Sequence, residues 1–192
     1  MSMRMFVAVL PPLEVLEDLA EFVEPRQQRD SPLRWSAQEQ WHLTLAFLPA
    51  VADRDLDELV ERLAATAGRR DRFELRLQGA GSFPNPAQGK VLWTGVAGDT
   101  EQLERLSASS RSAAMRAGVE GDGSKFRPHL TLARANRPVE LTRWLRVFDL
   151  YAGPSWQVEE IALVQSQLGS GRARYQVHES FPLGVGAQEQ AG

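Results

Sequence analysis

Nearly the same six residues occur twice in this chain, as His42-Leu43-Thr44-Leu45-Ala46-Phe47 and His129-Leu130-Thr131-Leu132-Ala133-Arg134. Leu, Thr and Phe favour the pleated conformation, and apolar residues alternate with the others at a period of two, so both copies read as strands. In the first, His42, Thr44 and Ala46 share one face while Leu43, Leu45 and Phe47 point into a core; the second repeats the division. Each strand then offers an imidazole and a hydroxyl about 7 Å apart on one face, with a small alanine beyond them that leaves room for a ligand. One such copy is no more than a polar residue on a half-buried sheet. Two copies in a chain with only three histidines imply a pair of strands that face each other around a small anion.

The elements on either side support a fold built from two similar halves. Arg4 to Leu10 reads as an apolar strand closed by Pro11-Pro12, and Leu13, Leu16, Leu19, Ala20 and Val23 then recur at helical spacing up to Pro25. Leu33-Arg34-Trp35 approaches the first histidine strand, which Pro49 is expected to end. Asp53 to Ala67 carries Leu56, Leu59, Val60 and Leu63 on one helical stripe behind an acidic start, as the helix dipole prefers. Phe73 to Leu77 alternates as a strand, Gly79 to Pro86 reads as a turn, and Lys90 to Val96 as another strand around Trp93. A helix is predicted from Thr100 to Ala117, a glycine-containing loop from Gly118 to Ser124, and a second helix from Val139 to Leu150. Trp156 to Gln165 and Arg174 to Phe181 read as paired strands. The class is α+β with mixed or mainly antiparallel sheets. The tail from Gly184 is expected to be disordered.

At 192 residues with 43% hydrophobic side chains, the chain has enough apolar material for one domain or two small lobes sharing a cleft. Cysteine is absent, which removes disulfides, thiolate metal sites and cysteine nucleophiles and suits a reducing compartment. The apolar run after Arg4 is too short for a signal peptide or a membrane span, so a cytoplasmic protein is expected. A net charge of −3 and a pI near 5.7 give no diffuse attraction to a phosphate backbone, so any nucleic-acid contact has to be local. The basic residues are nearly all arginine, with lysine only at Lys90 and Lys125.

Three chemistries compete for two histidines and two hydroxyls. A catalytic zinc site wants three protein ligands. Neither copy has a His-x-His pair, and His178, in Tyr175-Gln176-Val177-His178-Glu179, lacks the threonine two positions on and reads as an ordinary strand residue. Thr44 and Thr131 lie within strands rather than on the strained turn of a nucleophile elbow. Phosphoryl chemistry fits better. A neutral imidazole takes the proton of an attacking water, a protonated one gives a proton to the departing sugar oxygen, and the hydroxyls hold the nonbridging oxygens. No metal or other cofactor is needed.

The two His-x-Thr-x motifs, the opening Arg4 to Pro12, the stretch Trp35 to Leu48, Gly81-Ser82-Phe83-Pro84 with Val91-Leu92-Trp93, and Phe126 to Arg134 together resemble the 2H phosphoesterase superfamily. Within it they resemble the RNA 2′,3′-cyclic phosphodiesterases, also called 2′-5′ RNA ligase-like proteins, from Met3 to about Leu183. The resemblance implies a single bilobal α+β domain over residues 1–183, with pseudo-twofold-related lobes and an active-site cleft between them. It also implies metal-independent hydrolysis of a terminal 2′,3′-cyclic phosphate on RNA to a 2′-phosphate. No membrane association and no obligate protein partner are expected. By motif position His42 and His129 become the catalytic pair, Thr44 and Thr131 the phosphate holders, Arg134 a phosphate ligand and Phe47 a surface for base stacking. Where the family often has glycine after Phe-Leu, this chain has Pro49, which bears on the turn rather than the chemistry.

Strict alternation sets a difficulty for the last two residues, because it points Phe47 and Arg134 away from the histidine face. Either each strand ends or twists there, or Phe47 is core and Arg134 a solvated strand end. Arg34 and Arg127 are near enough in sequence to reach a nucleotide or simply to be exposed. If the product is a 2′-phosphate, the 3′ oxygen leaves, and the working assignment is that His42 protonates it while His129 activates water. Cleavage or ligation of 2′-5′ linkages, and noncatalytic binding of RNA ends or nucleotides, are the alternative functions.

Overall fold

In the computed structural model, the described residues are 1–27, 31–169 and 173–184. The opening apolar run forms strand β1 (Ser2–Val9), buried from Met5 onward. The Pro12 carbonyl accepts the amides of Val15 and Leu16 and so starts helix α1 (Leu13–Val23). The chain continues through β2 (Leu33–Trp35), β3 (Leu43–Ala52), α2 (Leu56–Gly68), β4 (Phe73–Phe83), β5 (Gly89–Gly98), α3 (Thr100–Arg116), β6 (Leu130–Val139), α4 (Thr142–Phe148), β7 (Ala152–Val158), β8 (Glu160–Gln167) and β9 (Arg174–Pro182).

The strands make two sheets, one ordered β3-β1-β8-β9 and the other β2-β6-β5-β4-β7. Every pairing is antiparallel. Helices α2 and α3 pack on the first sheet, while α1 and α4 pack on the second. The expected α+β architecture with helix-flanked antiparallel sheets is therefore the one observed.

The two sheets match residue by residue around the repeated motif. In the first, Phe6, Val7 and Ala8 lie opposite Phe47, Ala46 and Thr44. In the second, Val91, Leu92 and Trp93 lie opposite Arg134, Ala133 and Thr131. Thus β3-β1-β8-β9 corresponds to β6-β5-β4-β7, and β2 is an extra edge strand with no counterpart among the described residues. The lobes are not the two halves of the sequence, however. The β8–β9 pair from the end of the chain joins β1 from its start, and α1 crosses from β1 to pack on β7.

Several expected boundaries shift for identifiable reasons. Pro49 does not end β3, which runs to Ala52; the register slips between Met5↔Leu48 and Met3↔Val51, and an edge strand tolerates proline at such an irregularity. Gly79 to Phe83 belongs to β4 rather than to a turn. Gly79 sits at φ +75° where the pairing with β5 slips, and Gly81 packs so tightly under the Trp93 ring that a Cβ would lie 2.1 Å from it. Val139 ends β6, so the following helix is confined to Thr142–Phe148. The stretch predicted from Trp156 to Gln165 divides at Glu159 into strands of different sheets, with only β8 pairing with β9. The tail expected to be disordered lies, from residue 185 on, outside the described residues.

One buried apolar cluster runs through both sheets, joining Val7, Leu45 and Leu163 of the first to Leu77, Leu92 and Leu132 of the second. A second, small cluster of Phe6, Ala8, Ala162 and Val164 lies on the other face of the first sheet, with Phe47 packed against it. Strands β1 and β8 are thus covered on both faces, which is why they read as continuous apolar runs.

Candidate active site

Strands β3 and β6 begin one residue after His42 and His129, and both imidazoles are held in the same way. His42 Nδ1 lies 2.7 Å from the Gln40 carbonyl and His129 Nδ1 lies 2.6 Å from the Arg127 carbonyl. A carbonyl can only accept, so each Nδ1 carries the proton and each neutral ring keeps its Nε2 lone pair for a ligand. The rings are braced by aromatic contacts. Phe6 stacks on His42 at 4.5 Å and 24°, Tyr175 meets it edge-on at 5.4 Å, and Phe83 meets His129 edge-on at 4.8 Å beside Trp93.

Three residues after each histidine, both strands bulge at the same motif position. Leu45 is the extra residue between Thr44 and Ala46 in the pairing with β1, and Leu132 the extra residue between Thr131 and Ala133 in the pairing with β5. A bulge leaves a carbonyl outside the ladder, and it must find another partner. The Leu45 carbonyl accepts Ser107 Oγ at 2.6 Å and Arg111 Nε at 3.2 Å from α3; the Leu132 carbonyl accepts the Ser36 amide at 2.8 Å from the residue after β2.

The bulges change which side chains face the histidines. Leu45 and Ala46 are both buried in the core, as are Leu132 and Ala133, so neither alanine leaves room for a ligand on the histidine face. That expectation is corrected: the extra residue shifts the alternation by one. The same shift carries Phe47 and Arg134 onto the histidine side, where strict alternation had excluded them.

His42, Thr44, Phe47, His129, Thr131 and Arg134 consequently line one cleft of about 1070 Å³ between the sheets. Arg4 and Tyr175, not singled out from the sequence, line it too, and Arg4 lies over the Phe47 ring at 4.6 Å from its centroid. Arg34 also lines it, whereas Arg127 does not and instead lies 5.8 Å over the Phe83 ring. His178 is exposed on β9 and is not among the residues lining the cleft.

Burial is the main influence on the imidazoles, and it opposes their charged forms. It pushes His42 down from 6.5 to about 4, with smaller contributions from the charges of His129 and Arg134 and some opposition from the Gln40 carbonyl. His129 is lowered for the same first reason, helped by Arg134 and opposed by the Arg127 carbonyl. Burial thus favours neutral imidazoles at pH 7. An anion between them reverses the balance, since it favours the protonated ring.

A matched pair of acid–base groups, two hydroxyls and a guanidinium around one cleft suit a single tetrahedral phosphate. Comparison with known proteins leads to the same chemistry. Residues 11–170 match the family model described as the 2′-5′ RNA ligase superfamily. An RNA 2′,3′-cyclic phosphodiesterase of Thermus thermophilus is 35% identical over 204 residues, covering 98% of this chain and 95% of that protein. Another from Aeropyrum pernix is 33% identical over 141 residues, covering 71% and 78% respectively. Among solved structures, TT0787 of Thermus thermophilus superposes with a TM-score of 0.79 at 29% identity, over 95% of this chain and 98% of that one. LigT of E. coli complexed with 3′-AMP gives 0.78 at 26% identity, over 95% and 99%.

Proposed function

The chain belongs to the 2′-5′ RNA ligase superfamily, and on that premise we propose that it hydrolyses a terminal 2′,3′-cyclic phosphate on RNA to a 2′-phosphate. The observation that carries the reading is the symmetric pair of imidazoles, each fixed through Nδ1 and each lining the same cleft.

In this reaction His129 Nε2 accepts a proton from water as the water oxygen bonds to phosphorus. The bond from phosphorus to the 3′ oxygen breaks, and that oxygen takes the Nε2 proton of protonated His42. The step leaves His42 neutral and His129 protonated; loss of that proton from His129 to solvent and return of one from solvent to His42 restore the starting state, so charge and atoms balance. Thr44 and Thr131 donate their hydroxyls to the nonbridging oxygens, and Arg134 offsets charge as the phosphorane-like transition state develops. Phe47, half-buried in the cleft wall, is the proposed surface for the terminal base. These groups supply every proton transfer and the charge stabilisation, so the proposed reaction is metal-independent. Among the described residues no helix is long and apolar enough to cross a membrane; with the lack of cysteine, the cytoplasm is the proposed compartment.

The direct test is to incubate a short RNA ending in a 2′,3′-cyclic phosphate with the enzyme and a chelator, then identify the terminal phosphate. A 2′-phosphate is the expected product. A 3′-phosphate would overturn the choice of leaving group, chelator-dependent loss restored by zinc would overturn metal independence, and an intact cyclic end would overturn the function. Joining to a 5′-hydroxyl oligonucleotide would instead reveal the reverse, ligating direction, which the same two groups serve with roles exchanged.

A further inference from the structure

Strand β2, which has no symmetry counterpart among the described residues, places Arg34 directly opposite Arg134 of β6. Residues opposite each other in an antiparallel pair share a face, with Cα atoms roughly 5 Å apart. Both arginines line the cleft, while Leu33 and Trp35, opposite Ala135 and Ala133, pack with the core and also touch the cleft wall. Like charges held directly across a ladder are destabilising. Neither guanidinium forms an ion pair or a hydrogen bond among the described residues. Arg4, the third arginine of the cleft, lies over Phe47, and Glu24 is the only carboxylate lining the cleft among the described residues.

Arg134 lies on the bulged strand beside the histidines and suffices for the reacting phosphate. Arg34 is one strand further out, and a monoanionic cyclic phosphate leaves its charge uncompensated. A cleft of about 1070 Å³ also exceeds what a mononucleoside needs. We propose that Arg34 binds a second phosphate of the substrate, the one on the 5′ side of the terminal nucleoside, and that this contact makes the enzyme prefer the end of an RNA over a mononucleoside cyclic phosphate. The inference rests on the cyclic phosphodiesterase reading given above and names a specificity determinant for it.

The contact is measured by kcat/KM for four substrates. They are a nucleoside 2′,3′-cyclic phosphate, the same compound with a 5′-phosphate, a dinucleotide ending in the cyclic phosphate, and that dinucleotide with a neutral methylphosphonate linkage. The charged dinucleotide is expected to exceed the neutral one by about tenfold at low salt, and the ratio should shrink as salt rises. The 5′-phosphorylated mononucleoside distinguishes a terminal from an internucleotide phosphate: an equal gain means that Arg34 reads any 5′-side phosphate, and a gain confined to the dinucleotide means that it reads the chain. Arg34→Gln should reduce the ratio to about one, with Arg34→Lys retaining part of it, while turnover of the unphosphorylated mononucleoside continues. Because the substitution relieves a like-charge pair, the ligand-free melting temperature should not fall. A ratio near one in the wild type, or a ratio that survives Arg34→Gln, would overturn the proposal and leave the hydrolase reading intact. Failure of the wild type to open any of the four substrates would overturn both.

Discussion

Free enzyme and substrate complex should show different pH profiles, because burial in the cleft lowers the imidazole pKa values while an anion bound there raises them. Burial brings His42 to about 4 and lowers His129 from 6.5, while the mechanism needs one ring protonated and the other neutral. For the free enzyme, kcat/KM should therefore peak between the two apparent values of the coupled pair, below pH 6.5, and fall about tenfold per unit above the higher of them. A phosphodiester anion about 4 Å from an imidazolium at an effective dielectric constant near 20 contributes about 4 kcal/mol. That is roughly 3 pH units, enough to lift His42 from about 4 to roughly 7. The bell for kcat should accordingly lie at distinctly higher pH than the bell for kcat/KM. Initial rates on a nucleoside 2′,3′-cyclic phosphate from pH 4 to 9, at limiting and saturating substrate, give both curves. Coincident profiles, or a kcat/KM that stays flat from pH 6.5 to 8.5, would refute the reasoning.

Replacing either histidine by alanine should lower kcat by roughly 10² to 10⁴, and a substrate with sulfur in place of the 3′ oxygen should rescue the variant that lacks the acid, assigned to His42, because a thiolate leaves without protonation. Rescue of the His129 variant instead would reverse the roles. Thr44→Val and Thr131→Val preserve volume but remove a hydrogen bond to a charged group, so each should reduce kcat/KM by about ten- to hundredfold, read by steady-state kinetics with the melting temperature as control. Gly81→Ala drives a methyl into the Trp93 ring that braces His129. It should cost about 1–3 kcal/mol in denaturant unfolding and reduce turnover. His42 stays neutral in the fold while its unfolded counterpart protonates near 6.5, so its contribution to stability is full above that pH and is lost as pH falls through about 4. The loss amounts to as much as about 3 kcal/mol; His42→Gln should flatten that part of the stability curve, and phosphate should oppose it.

The residues that meet in the cleft were legible because chemical type and repetition coincided: two His-x-Thr strands in a chain poor in histidine leave few other readings. The strands and the helices at Leu13–Val23, Leu56–Gly68 and Thr100–Arg116 followed from apolar period, and the mainly antiparallel sheets from the order of the elements and their hairpin-like pairs. The bulges were not legible. Leu45 and Leu132 look like ordinary strand leucines, and their displacement depends on partners 62 residues away at Ser107 and across β2 at Ser36. Without the bulges, Phe47 and Arg134 fall on the wrong face and Ala46 and Ala133 on the cleft. Arg4 and Tyr175 escaped notice for a similar reason, since only the β1–β8–β9 pairing brings the two ends of the chain to the site. A signal for the double-sided burial of β1 did exist, in the unbroken apolar run from Met5 to Val9, but it carries no information about which side becomes the cleft.

The central claim is that the two imidazoles grip one phosphate. A crystal structure with a nucleoside 2′-phosphate bound measures this most directly. The account predicts both Nε2 atoms within hydrogen-bond distance of oxygens on the same phosphorus, flanked by the Thr44 and Thr131 hydroxyls. A phosphate held by only one imidazole, or bound elsewhere in the cleft, would contradict it.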